Sequence, residues 1–166
     1  MILKLLSYLK FVLHSTNEHD VHSPFVFSFV TNCLYQKPKN TKEKTLNVTL
    51  TSIGYFHCKS VYIDNHDTLK KKLKDRYPNL VWDSKPFDLI YLKAPSFENL
   101  KKILSKKHVH NDSMILIGNI YKNRETLKIW KSIVDIPEIT VSIDMFYCGA
   151  LFVRKEQVKE HFTIRI

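Results

Sequence analysis

From Leu46 onward, short apolar runs alternate with stretches of helical period, and this alternation limits the possible folds more than any other feature. Runs at 60–64, 80–82, 88–92 and 113–118 read as strands. Unbroken apolar runs such as MILI at 114–117 suit a sheet covered on both faces. One intervening helix follows Ala94-Pro95, with Ser96 as its cap and Phe97, Leu100, Ile103 and Leu104 facing inward. A later one starts near Asn123 and buries Leu127, Trp130, Ile133 and Val134. Strand–helix alternation predicts a parallel sheet with right-handed crossovers. Two β-rich runs at 138–146 and 147–154 leave no room for a helix between them, so they should pair antiparallel, with Cys148-Gly149 near the bend or at a bulge. The expected fold is α/β, a Rossmann-like and mostly parallel sheet closed by a C-terminal antiparallel hairpin and preceded by two helices.

The two helices lie at residues 1–14 and after Ser23-Pro24, where serine caps and proline fits the first turn. The stretch QKPKNTKEKT at 36–45 has no apolar residue and reads as a linker. The expected division is a helical pair at 1–35, a linker at 36–46 and a reduced Rossmann-like domain at 47–166, all in one structural unit. The opening MILKLLSYLKFVLHST is too short to span a bilayer and is interrupted by Lys4 and Lys10, so no transmembrane segment is expected. Its Ile2, Leu5, Leu6, Leu9, Val12 and Leu13 share one helical face, which is expected to pack on its own domain. Interfacial contact with a membrane is the alternative.

Only Gly54, Gly118 and Gly149 are glycine, too few for a multi-glycine phosphate loop. Cys33, Cys58 and Cys148 are odd in number and far apart, which points to free thiols in a reducing, cytoplasmic setting. The net charge of +10 includes lysine clusters at Lys70, Lys71, Lys72 and Lys74 and at Lys101, Lys102, Lys106 and Lys107. Solvated helix faces account for them, and a polyanion partner is the alternative. Glu18, His19, Asp20 and His22 read as a capped turn rather than a metal site, and no metal is expected. His57 and Cys58 offer a conceivable Cys–His pair, with His66 and Asp67 nearby, but no motif supplies an oxyanion hole or an orienting third residue. Asp144 and Glu156 have no partner at a readable spacing.

VHSPFVFSFVTNCLY at 21–35 and the tail SIDMFYCGALFVRKEQVKEHFTIRI at 142–166 resemble a bacterial group of class I S-adenosylmethionine (SAM)-dependent methyltransferases. HNDSMILIGNIY at 110–121 is similar to that family's fifth strand, and FDLIYL at 87–92 to its fourth. The resemblance is weak between 36 and 86, the half that in the family holds the cofactor. It implies a glycine-rich loop after the first strand, where this chain has Asp64, Asn65, His66 and Asp67. If the same run is instead the second strand, Asp64 matches the acidic residue that bonds the ribose, and the first strand and its loop are missing. The fourth strand ends in Leu92-Lys93-Ala94-Pro95 where the family tends to an acidic ending, and the fifth ends in Gly118-Asn119 where it commonly carries Asp.

These departures imply a methyltransferase-like protein that has lost SAM binding and catalysis, acting by interaction through helices 1–35, where a protein partner would bind, or through the lysine-rich faces. The alternative is an active enzyme with SAM as cofactor, in which Asp64, Asn65, Lys93 and Asn119 line the cleft. A second alternative is a polyanion-binding or nucleic-acid-binding module using the lysine-rich helices.

Overall fold

The computed structural model describes residues 2–16, 21–37, 39 and 41–166. Seven strands, β1 (Ser60–Ile63), β2 (Val81–Trp82), β3 (Phe87–Leu92), β4 (Val109–Gly118), β5 (Val141–Asp144), β6 (Cys148–Phe152) and β7 (Glu160–Thr163), form one sheet in the order β2-β1-β3-β4-β6-β5-β7. All ladders are parallel except those of β6, which runs against β4 and β5. The expected parallel sheet and closing hairpin are both present. Strand β7, parallel to β5 at the sheet edge, is an addition that the sequence pattern did not suggest.

Helix α1 is Ile2–His14, α2 is Pro24–Phe29 and continues as a π-helical turn over Val30–Leu34, and α3 is Lys44–Tyr55. Helices α4 (Asp67–Arg76), α5 (Phe97–Ser105) and α6 (Arg124–Val134) complete the chain. Two cores lie on opposite faces of the sheet. One gathers Phe29, Leu34, Ile53, Leu69 and Leu73 from α2–α4 against Val61, Leu89, Tyr91 and Leu116. The other gathers Leu100 and Ile103 of α5 and Trp130 and Ile133 of α6 against Phe87, Ile90, Leu92 and Ile117. Each strand thus alternates between two apolar environments, as a covered parallel sheet requires.

The helix starts follow local chemistry. The side chains of Ser23, Ser96 and Asn123 accept hydrogen bonds from the backbone N–H groups of Val26, Asn99 and Thr126. Thr126 answers Asn123 by accepting the cap's own N–H at 3.0 Å, which completes a capping box.

The two segments that carry the sequence resemblance meet in space. The Ser23 hydroxyl donates to Gln157 Oε1 at 3.0 Å, and the Arg154 guanidinium lies over the Phe25 ring at 4.5 Å. Phe25 also meets Phe152 edge-on, with centroids 4.9 Å apart. Arg154 in turn pairs with Asp112 and Glu156, and Glu156 accepts from Asn111. Glu156, without a partner in sequence spacing, is therefore part of a tertiary network that locks the tail to the second helix.

One sequence expectation is corrected. The leucine stripe of α1 does not pack on the domain: Leu5, Leu6, Leu9 and Leu13 are exposed, Leu13 at 83%. The helix docks through its aromatic side, where Phe11 is buried and Tyr8 and Phe11 meet Phe146 at 4.9 and 5.4 Å. Rings match the aromatic cluster of Tyr121 and Phe146 better than leucines do. Cys148-Gly149 lies next to the hairpin bend, as expected. The bend is Met145-Phe146-Tyr147, with Phe146 in the left-handed region at φ 65°, and Gly149 lies inside β6. Its missing side chain makes room for Trp130, since a Cβ there would stand 2.2 Å from the indole Cη2.

Gly149→Ala should therefore cost about 1–3 kcal/mol by overpacking. Chemical denaturation checks it, and pairing the change with Trp130→Phe should recover part of the loss. The start of β1 is held by Asp88, whose carboxylate accepts from the Lys59 and Ser60 N–H groups at 2.6 and 2.8 Å and bonds the His110 ring at 2.8 Å. Burial opposes its ionised form, but the N–H groups of Ser60 and Lys59 and the His110 ring outweigh it and hold the carboxyl below its ordinary range. A depressed carboxyl stabilises the fold above its unfolded value, and that stabilisation is lost as pH falls through the folded one. Asp88→Asn should lower stability by about 1–3 kcal/mol at pH 7 and flatten the acid limb of the stability–pH curve, measured by urea unfolding.

Candidate functional site

In an open α/β sheet the natural ligand crevice lies beyond the carboxyl ends of the strands, where successive crossovers diverge. Here β1 leads outward to β2 while β3 leads the other way to β4, so the switch point falls between β1 and β3. The residues singled out from sequence stand along this edge: Asp64 and Asn65 after β1, Lys93 after β3 and Asn119 after β4. They are tied mainly to one another and to backbone. The Asp64 N–H donates to the Tyr91 carbonyl at 2.9 Å, Asn65 Nδ2 to Asp64 Oδ1 at 2.9 Å, and Asn119 Nδ2 to the Lys93 carbonyl at 2.8 Å. Asn65 and Asn119 take left-handed backbone, φ 42° and 57°, a conformation asparagine tolerates better than most side chains.

The crevice on the α3 side of this edge is filled. Thr45, Leu46 and Thr49 of α3, His66, Leu69 and the Tyr91 ring close around a space of about 10 Å3. That volume holds about one water, whereas small-ligand sites run to about 300–1,000 Å3. Tyr91 is one of the side chains that fill the crevice. It is buried, its ring lies 5.7 Å from that of His66, and its hydroxyl would stand 2.8 Å from a Cβ at Gly118. Burial, with Cys148 adding to it, pushes the Tyr91 phenol up to about 12. His66 is engaged as the cap of α4, its Nδ1 accepting from the Leu69 N–H at 3.2 Å. The residues present do not fit SAM in this crevice.

Asp64 opens instead onto the other face. There a groove of about 530 Å3 runs between α5 and the connection from β2 to β3. Asn119 lines a separate hollow of about 280 Å3 with Tyr121, Lys122 and Phe146. Behind that hollow is a buried carboxylate with no partner at a readable sequence spacing. Asp144, buried at the end of β5, accepts from the Phe146 N–H at 2.9 Å and from the Tyr121 hydroxyl at 2.8 Å. Burial raises its carboxyl despite these donors and Trp130. Burial likewise raises the Tyr121 phenol, with Asp144 reinforcing it. Tyr121 precedes Asp144 by 23 positions, so no local spacing signals the pair.

The other constellations carry no chemistry here. The three cysteines are free and buried, and burial, with Asp88 adding to it, pushes the Cys58 thiol up to about 12. Cys58 is therefore a protonated thiol at neutral pH, a poor nucleophile beside His57. Among the described residues no group of three His, Cys, Asp or Glu is arranged to hold a metal. Glu18, His19 and Asp20 lie outside the described residues. No helix among the described residues is long and apolar enough to cross a membrane.

No family model matches the sequence, and no curated protein matches it. Among solved structures, the fold is similar to a protein of Staphylococcus aureus described as a caffeoyl-CoA O-methyltransferase, with 12% identity, 90% of this chain and 99% of that chain covered, and a TM-score of 0.44.

A raised carboxyl contributes stability that is complete below its unfolded value and lost as pH rises through the folded one. Asp144→Asn, which keeps an acceptor for the Phe146 N–H, should stay within about 1 kcal/mol of the parent at pH 7, whereas Asp144→Ala, which strands its donors, should lose about 2–3 kcal/mol. The parent should also lose ground to the Asn variant as pH rises above the acid range, read from thermal melts across pH.

Proposed function

We propose that this protein is a methyltransferase-like scaffold that does not bind SAM at its strand ends and acts by binding rather than by methyl transfer. The reading is carried by one observation: the switch-point crevice is closed by α3, His66 and Tyr91 down to about 10 Å3. Methyl transfer needs chiefly a bound, aligned sulfonium in a dry site, so loss of the cofactor's space removes more than loss of a single carboxylate would. The resemblance of the 21–35 segment and of the tail supports the same scaffold. Those segments meet through Ser23–Gln157 and Phe25–Arg154, a contact that ties the tail to the second helix.

A second reading, polyanion binding, is favoured by exposure. Lys71, Lys72 and Lys74 on α4 and Lys101, Lys102, Lys106 and Lys107 at α5 are all exposed. The two sets belong to opposite faces of the sheet, because α4 packs into one core and α5 into the other. They therefore act as separate patches.

The test is calorimetric titration of the folded protein with S-adenosylhomocysteine, alongside a methyl-transfer assay with labelled SAM. The expected result is no binding tighter than about 1 mM and no transfer. Micromolar affinity, or label moved to any acceptor, overturns the reading.

A further inference from the structure

We infer that the groove between α5 and the β2–β3 connection is a binding site for a nucleoside monophosphate, with the phosphate at its lysine end. The groove exists because of a missing cover. The chain between β2 and β3 is only residues 83–86, too short to lay a helix over β1 and β2 on this face. Val81 is consequently 50% exposed, and Tyr62 is only partly buried. The opening is about 530 Å3, inside the range of about 300–1,000 Å3 that small ligands occupy.

Its chemistry is polarised. One end carries Lys85, Lys102, Lys106 and His108. Among the described residues none of these lysines is within ion-pair distance of a carboxylate. Desolvation, then Lys85, Lys106 and Lys102, hold the His108 imidazole below its ordinary range, an independent sign that the three ammonium groups converge. Lysines placed this way receive a phosphate as point charges. The other end carries Asp64 and Asp83 beside the Tyr62 hydroxyl, whose phenol is raised by burial and by those two carboxylates. Carboxylates accept from hydroxyl and amino donors and repel a second phosphate, so they orient the ligand. Between the ends lie the rings of Tyr62 and Phe87, 5.6 Å apart, with Ile90 and Leu92 beneath, an apolar floor for a planar ring. Phosphate, sugar hydroxyls and a flat base in one molecule answer all three parts. Inorganic phosphate or a nucleoside alone answers only some of them.

The groove lies on the face opposite the closed crevice but borrows Asp64 from the strand-end edge, so variants of the α5 lysines, which belong to the groove alone, separate this inference from the absence of SAM binding. The experiment is calorimetry of the whole chain with adenosine monophosphate, adenosine and inorganic phosphate. It is repeated for Lys102→Glu/Lys106→Glu and for Lys71→Glu/Lys72→Glu, an equal charge change on the opposite face. Adenosine monophosphate should bind below about 1 mM, with adenosine and phosphate each at least about tenfold weaker. The α5 pair should weaken it by at least about tenfold and the α4 pair by less than about twofold. No binding of the monophosphate by folded protein, equal weakening by both pairs, or equal affinity for phosphate alone overturns the assignment. S-adenosylhomocysteine bound equally by parent and α5 variant would instead indicate a strand-end site, which counts against the proposed function and leaves the groove untouched.

Discussion

Parallel strands have to be buried on both faces, and the way this chain meets that requirement governs the rest of the molecule. One face is covered by α2, α3 and α4, the other by α5 and α6 alone. The fully covered face closes the crevice between β1 and β3 down to about 10 Å3. The thinly covered face leaves β1 and β2 open, and the groove is the result. Both the closed crevice and the open groove follow from where helices are and are not available.

The crowded edge has its own logic. A strand end can admit a cofactor only if small residues let the ligand approach backbone. This chain places Tyr91 beside Gly118 and a capping histidine near its ring, so Gly118 accommodates a phenol. Asparagines at 65 and 119 supply the left-handed turns and bond neighbouring groups at that edge. The edge is satisfied internally, and a satisfied edge has few polar groups left to offer a ligand.

Much of the fold was legible because it is local. Ser96 and Asn123 start their helices where their side chains reach N–H groups three residues on, and the apolar runs become strands within a few positions of their expected bounds. Periodicity located α1 but chose the wrong face, since a stripe of leucines says that one side is apolar and not which side meets the core. Tyr8 and Phe11 won because Tyr121 and Phe146 present rings to that helix. The need for glycine at 149 is hidden from spacing for the same reason: it is set by Trp130, nineteen positions earlier in the chain.

The sequence by itself determined the alternation of strand and helix, the caps, the antiparallel closure and the scarcity of glycine that rules out a phosphate loop, because each depends on neighbours within a few residues. Only the tertiary structure decided which face of α1 is buried, that Asp144 meets Tyr121, that Tyr91 fills the switch point and that lysines from α5 and the β2–β3 connection converge above Tyr62 and Phe87. Those outcomes depend on distances between segments far apart in the chain, and the order and spacing of the strands set such distances.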